Sequence, residues 1–320
     1  MSITPIIFNE KKVPHTIVGG KTRKTDENEE DLTVILLNRG GRYYRSAVFQ
    51  NLENAGFTSI ISIELSREPY DIENLSIRFP SVKFLVPLET VTVGEMINTG
   101  MAETDAARVF VVWNDMRVSA SGTPQRLMKK IKESDRLCTV PLLTSPKMEV
   151  LPLQMVPALN GNTFQVEPMP CIRDGSPTIY PFDFTGIYNR KKFIRLGGYD
   201  HTIKNPYWQN LDMGFRAHLW GEKIQLATSF RLSYEEAVPR EDITADYSYM
   251  KFFLKNLAPV RRQDEAYLPL SRFFSYAARS GVGFVNSWND FKTVRSWVRT
   301  NRFRFIQAAP EMVSAWEPCL

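Results

Sequence analysis

The chain has 320 residues and a mass of 36.8 kDa, with 43% hydrophobic and 23% charged content. That excludes a mostly disordered or collagen-like polypeptide and leaves room for one large domain or two unequal ones. Its net charge of +5 is uneven: Lys251 to Arg304 holds eleven basic and three acidic residues, a local +8 against −3 elsewhere. Cysteines stand at 138, 171 and 319 without paired spacing, so no disulfide framework or zinc finger is expected and a reducing compartment is favoured. No run approaches the ~18 apolar residues of a membrane span. The N-terminal residues lack the apolar core and cleavage site of a secretion signal.

In chain order, residues 1–31 read as a loosely ordered lead segment, with clustered charges and little to bury. Leu32 to Leu37 is a short apolar strand, followed by helical spacing from Tyr43 to Ala55, which Gly56 closes. Ile60 to Ile63 forms a second strand ending at Glu64, and Val82 to Val86 a third. Thr92 and Glu95 form a capping box that opens a helix running to about Ala107. Val109 to Trp113 is an unbroken apolar run suited to a strand buried on both faces. Thr123 and Pro124 start a further helix to about Glu133, and Leu137 to Leu143 is a fifth strand. The proline-rich stretch from Ser145 to Pro181 suggests an irregular crossing. Helices are expected near Arg190 to Arg195 and from Asn210 to Trp220, with a strand from Ile224 to Thr228. The basic, aromatic-rich remainder, 236–320, reads as a helical region.

Alternation of strand and helix predicts an α/β domain over 32–235 with an open, mostly parallel sheet flanked by helices. Such sheets take ligands beyond the carboxyl ends of their strands. Asn38 and Arg39, Glu64, and the Asn114–Asp115 turn stand at those ends. Asp115 either caps the next segment or orients a polar ligand. A second cluster, Gly197-Gly198-Tyr199-Asp200, precedes Trp208-Gln209-Asn210-Leu211-Asp212. There a cap plus an Asp212–Arg216 ion pair is an adequate structural account. His218 has helical spacing from Gly214 and Gly221, and lining a groove suits it. The three histidines are far apart, so no metal ligand set is expected. Cys171 has no activating partner for nucleophilic catalysis.

Taken together and in order, these segments resemble the family-2 glycosyltransferases, nucleotide-sugar enzymes of GT-A type, over about residues 32 to 230. The resemblance makes Glu64 the acid that helps hold the nucleotide base or ribose. Phe110-Val111-Val112-Trp113-Asn114-Asp115-Met116-Arg117 is similar to the strand ending in an Asp-x-Asp motif, with Asp115 at the first acid. The Gly-Gly-Tyr-Asp and Trp208-to-Asp212 segments, with Arg216 and Gly221, are similar to the family's late marker. It implies transfer of a sugar from a nucleotide diphosphate to a glycan or lipid-linked acceptor, with inversion.

Departures bear on the mechanism. Arg117 stands where the family has its second acid, and no histidine follows His218. Mg2+ or Mn2+ is therefore disfavoured, since an arginine cannot ligate either ion. A donor site relying on Arg39 and Arg117 as phosphate partners is preferred. Gln209 and Asn210 replace the family's Glu-Asp pair, leaving Asp212, and after it Asp200, as the candidate base. Tyr199 and Trp208 would shape the acceptor floor. The rival reading is a non-catalytic nucleotide- or sugar-binding or scaffolding protein on the same fold. The basic C-terminal region is compatible with a membrane surface at the inner, cytoplasmic face, and no nucleic-acid motif accompanies it.

Overall fold

A computed structural model describes residues 11–20, 32–39, 45–65, 71–118, 131, 135–160 and 163–318. The expected helix at 123–133 lies outside the described residues, apart from Ile131, which is helical and buried.

Nine strands form one sheet: β1 (His15–Gly19), β2 (Leu32–Leu37), β3 (Ile60–Ile63), β4 (Val82–Pro87), β5 (Arg108–Trp113), β6 (Met116–Val118), β7 (Cys138–Thr144), β10 (Gly186–Asn189) and β11 (Ile224–Tyr234). Their order is β1-β4-β3-β2-β5-β10-β7-β11-β6. The block β4-β3-β2-β5 is parallel, and so is β7–β11, whereas β1, β6 and β10 pair antiparallel with their neighbours. The sheet is thus mixed; the expectation of a mostly parallel one describes its N-terminal block. Strand β1 was hidden in the lead segment because three of its five residues are exposed at the sheet edge, leaving little apolar pattern to read.

Successive crossovers run β2 to β3 to β4 on one side, and the chain then returns to place β5 on the other side of β2. Between β2 and β5 the chain direction of winding reverses, the position at which open α/β sheets take ligands. Helices α1 (Arg45–Asn54), α2 (Ile72–Arg78) and α3 (Val93–Ala102) cover this block. The Thr92–Glu95 capping box is present, but α3 ends at Ala102, five residues short of the expected limit.

The proline-rich crossing contains an antiparallel hairpin, β8 (Gln154–Asn160) with β9 (Thr163–Met169). After β10 come α4 (Arg190–Leu196) and α5 (Pro206–Leu219). Helix α5 begins at Pro206, earlier than the expected Asn210, because Asn205 accepts hydrogen bonds from the Tyr207 and Trp208 amides. Asp212 therefore lies inside the helix, in its second turn, and not at its start.

Helix α5 is buried on nearly every side and lies between two cores. Met213 and Ala217 join the sheet core, while Tyr207, Trp208, Leu211 and Phe215 join the core of the C-terminal region. That region contains α6 (Tyr247–Phe252), a π-helical turn at Phe253–Leu257, the hairpin β12 (Val260–Arg262) with β13 (Glu265–Tyr267), α7 (Arg272–Ser280), α8 (Phe284–Thr300) and α9 (Ala309–Ser314). No described helix is long and apolar enough to cross a membrane.

The close seat of α5 depends on Gly214: a Cβ there would meet the Ile179 carbonyl oxygen at 2.2 Å and the Tyr180 Cα at 2.9 Å. Both obstacles are at or beside main chain, so Gly214→Ala is expected to destabilise by about 3 kcal/mol, at the upper end for overpacking. A urea midpoint indistinguishable from the parent's would contradict that seat.

Candidate functional site

Three of the sequence-predicted strand ends meet at the winding reversal. A cleft of about 330 Å3 opens there, lined by Arg39, Arg45, Asn114, Asp115, Arg117 and the Glu235–Glu236 turn after β11. Arg39 is its structural centre. Its Nε donates to Asp115 Oδ2 at 2.8 Å and its Nη2 to Asp115 Oδ1 at 3.1 Å. On the far side Nη1 donates to Asp183 Oδ1 at 2.9 Å, and the guanidinium lies 4.2 Å from the Trp113 ring centroid. Its backbone amide donates to Asn114 Oδ1 at 3.1 Å, binding the ends of β2 and β5 together.

Asp183 precedes β10 in a left-handed backbone conformation, φ 53°, and Phe184 follows at φ 61°. Two consecutive non-glycine residues in that region cost energy and persist only where the surroundings enforce them. Here the Asp183 carbonyl accepts from Trp113 Nε1 at 2.8 Å and its carboxylate from the Tyr234 hydroxyl at 2.9 Å. Burial pushes the Asp183 carboxyl up, against the pull of Arg39 and Tyr234.

Beneath the cleft, Asn38 Nδ2 donates to Ser62 Oγ at 3.1 Å and to the Ile63 carbonyl at 2.8 Å. Ser62 in turn donates to Glu64 Oε1 at 2.8 Å, and Arg45 closes over Glu64 as an ion pair. Burial raises the Glu64 carboxyl, with Arg45 and Ser62 opposing it. Asn38 and Glu64 therefore reach the cleft through Arg45. Arg117 pairs with Glu235 but remains 64% exposed, so that pair is worth little and separates readily.

These residues do not fit a divalent cation held by Asp115. Both Asp115 oxygens are engaged by Arg39, and Arg117 cannot ligate a metal. Among the described residues no three His, Cys, Asp or Glu side chains gather as a metal site.

Asp200 and Asp212 lie elsewhere, in a charge cluster between the two cores. Lys255, carried inward by the π-helical turn, donates to Asp200 Oδ2 at 2.7 Å and to Asp212 Oδ2 at 2.9 Å. Asn256 Nδ2 donates to Asp212 Oδ1 at 2.7 Å, and Arg216 Nη2 stands 3.4 Å from Asp212. Asp212 is fully buried with both oxygens occupied. Asp200 is nearly so, but it borders a second cleft of about 480 Å3 together with Thr202 and Lys255. Burial works against the Asp200 charge, yet Lys255 and the Thr202 donors outweigh it and hold the carboxyl well below its usual range.

Other predicted site residues are structural ties. Gln209 Oε1 accepts from the Gly94 amide at 2.9 Å, and its Nε2 donates to Thr92 Oγ1 and to the Asp200 carbonyl, both at 2.9 Å. A carboxylate could accept the first bond but not donate the third, so an amide suits this position. Asn210 Nδ2 donates to the Pro181 carbonyl at 2.7 Å, which anchors the Asp183 loop. Tyr199 is fully buried, with its hydroxyl 2.9 Å from that of Tyr188, and Trp208 Nε1 donates to the Thr244 carbonyl at 2.7 Å. Arg216 Nη2 donates to the Gly198 carbonyl at 2.5 Å. His218 Nε2 lies 2.9 Å from the Thr178 carbonyl, and burial pushes its pKa down to about 4. None of these six lines the Asp115 cleft.

Asp183, Arg45, Lys255 and Asn256 escaped the sequence reading. The clearest signal for Asp183 was a lone acid ending a proline-rich crossing just before a strand, which specifies nothing about its partner. A further acid, the half-buried Glu241, accepts from the Tyr180 hydroxyl at 2.7 Å, and desolvation raises its pKa to about 7 despite that donor. Its folded pKa exceeds the unfolded one, so between about pH 4.5 and 7 the folded state binds more protons and stability falls as pH rises. Glu241→Gln should therefore gain on the order of 1–3 kcal/mol at pH 8 and nothing at pH 4. Thermal melts at the two pH values check this; an equal change at both contradicts it.

No protein-family model matches the chain, and no curated protein matches it in sequence. Among solved structures it is similar to GalNAc-T7 with UDP, GalNAc and Mn2+: TM-score 0.63, 12% identity, over 91% of this chain and 57% of that one. The chain thus spans little more than half the length of that relative. S. aureus TarS 1-349 in complex with UDP-GlcNAc matches at TM-score 0.49 and 10% identity, over 84% of this chain and 72% of that one, a likeness too slight to carry weight. The first likeness shows the fold: a mixed α/β sheet flanked by helices, of the GT-A type, with a helical C-terminal region.

Proposed function

We propose that the chain is a glycosyltransferase that binds a nucleotide-diphosphate sugar in the 330 Å3 cleft and transfers the sugar, with inversion, to a glycan or lipid-linked acceptor. The observation that carries this reading is the position of Asp115, Arg117 and the Glu64–Arg45 pair around one opening at the winding reversal of a GT-A type sheet. Asn38 and Glu64 hold Arg45 in place for the nucleoside. Arg117, released from Glu235, offsets diphosphate charge as a bidentate partner. Arg39 positions Asp115, with its charge shared between Asp115 and Asp183, a different role from the one its sequence position suggests. Direct displacement needs a group to accept the acceptor's proton. Of the two candidate carboxylates only Asp200 borders open space, and that space is the separate 480 Å3 cleft, so neither is assigned as the base for a sugar held in the donor cleft.

A second reading, nucleotide binding without transfer, is favoured by one observation: a single lysine ties up both candidate carboxylates. Release of nucleotide from a panel of nucleotide sugars separates the two. Transfer predicts turnover by the parent chain that falls at least tenfold in Arg45→Ala/Arg117→Ala, both of which line the donor cleft. Binding without any turnover in the parent chain would establish the second reading instead.

A further inference from the structure

The basic C-terminal region has no part in the donor cleft, yet it builds a concavity of its own. A groove of about 610 Å3 runs between the β12–β13 hairpin and helix α8. Lys292, Arg295 and Arg299 lie on its α8 wall at spacings of three and four, which places them on one helical face, and Arg302 continues the stripe past the helix end. From Lys292 to Arg302 the stripe is roughly 15 Å long at helical rise. Arg302 pairs with Glu265 at 3.1 Å, whereas Lys292, Arg295 and Arg299 make no ion pair with any described residue. With Glu265 as the sole acid in the lining, the groove carries a net charge of +3. On the opposite wall Tyr267 is 36% exposed, with the Arg262 guanidinium over one side of its ring at 5.4 Å from the centroid.

The groove is not isolated. Lys292 and Ser296 also line the 480 Å3 cleft that ends at Asp200. The two concavities therefore adjoin along α8, and the second is bordered by both Asp200 and Asp290.

We propose that this groove binds an extended anionic glycan, a sugar chain bearing repeated carboxylate or phosphate groups. Binding of the glycan does not depend on the transferase reading. Unpaired cations in a row match repeated anions, and an aromatic face beside them suits a sugar ring. A polymer chain can enter such a groove lengthwise between the hairpin and α8.

The test is fluorescence anisotropy at physiological salt, without nucleotide, with labelled oligogalacturonate for the carboxylate source and a phosphomannan oligosaccharide for the phosphate source. Neutral dextrin, a short single-stranded DNA and phosphatidylglycerol vesicles are the competing ligands. At least one anionic glycan should bind, tenfold or more tightly than dextrin. Binding should fall at least tenfold in Arg295→Glu/Arg299→Glu and hold in Lys147→Glu/Arg173→Glu, which changes exposed cations outside the groove. Both pairs are surface residues, and unchanged melting temperatures verify folding. The proposal is overturned if neither glycan binds, if the groove variant binds as the parent does, or if DNA or vesicles bind more tightly through the same residues. Failure of the donor reading would show separately, in nucleotide titrations.

Discussion

Lys255→Met is expected to cost about 3–5 kcal/mol, because it strands two carboxylates in the space between the cores. Lys255 Nζ is the cation nearest both acids, at 2.7 Å from Asp200 and 2.9 Å from Asp212, and the lysine itself is buried. Arg216, at 3.4 Å from Asp212, makes no ion pair with Asp200, so it leaves that acid uncompensated. Urea unfolding of the variant reads the loss. Adding Asp212→Asn should return part of it by removing one uncompensated charge. A loss below about 1 kcal/mol, or a double variant less stable than the single one, would show that the cluster is not held by this lysine.

The second large effect is expected at Arg39→Met. Arg39 joins Asp115 and Asp183, whose side chains are 13% and 11% exposed, so its removal leaves two largely buried acids facing each other. The expected loss is about 2–3 kcal/mol, below the fully buried case because water reaches the cleft. It should be larger at pH 8 than at pH 5. Asp183, already pushed up by burial, takes a proton more readily once the guanidinium is gone, and the neutral form suffers no repulsion. Stability curves at the two pH values check both size and sign; a loss independent of pH would mean that Arg39 acts through packing on Trp113 alone.

The strands that carry the cleft were legible because burial on both faces leaves an unbroken apolar run, as in Val109 to Trp113, where no residue is more than 6% exposed. The Thr92–Glu95 box was legible for a different reason: its two hydrogen bonds depend only on residues three apart. Local signals of this kind located Arg39, Glu64 and Asp115 at strand ends, and β-sheet topology brought them together.

Asp183 was not legible in the same way. Its role depends on a left-handed backbone pair that Trp113, Tyr234 and Arg39 enforce, all more than 50 residues away except by the sheet's register. Lys255 is likewise invisible to helical periodicity, because a π-helical turn rotates it off the expected face. Asn205-Pro206 was a readable helix start, and placing the helix at Asn210 instead put Asp212 at a terminus it does not occupy. The Gln209 and Asn210 substitutions read as lost acids in sequence; in the fold they are amides that donate to carbonyls which a carboxylate would repel.

The proposed transfer depends on the cleft between β2 and β5 being a nucleotide site. Calorimetric titration of UDP and of UDP-sugars into the parent chain and into Arg45→Ala/Arg117→Ala, each with and without Mn2+, addresses this most directly. The prediction is saturable one-site binding by the parent, not strengthened by Mn2+, and at least tenfold weaker binding by the double variant. Absence of binding under both metal conditions, or equal binding by parent and variant, would contradict it.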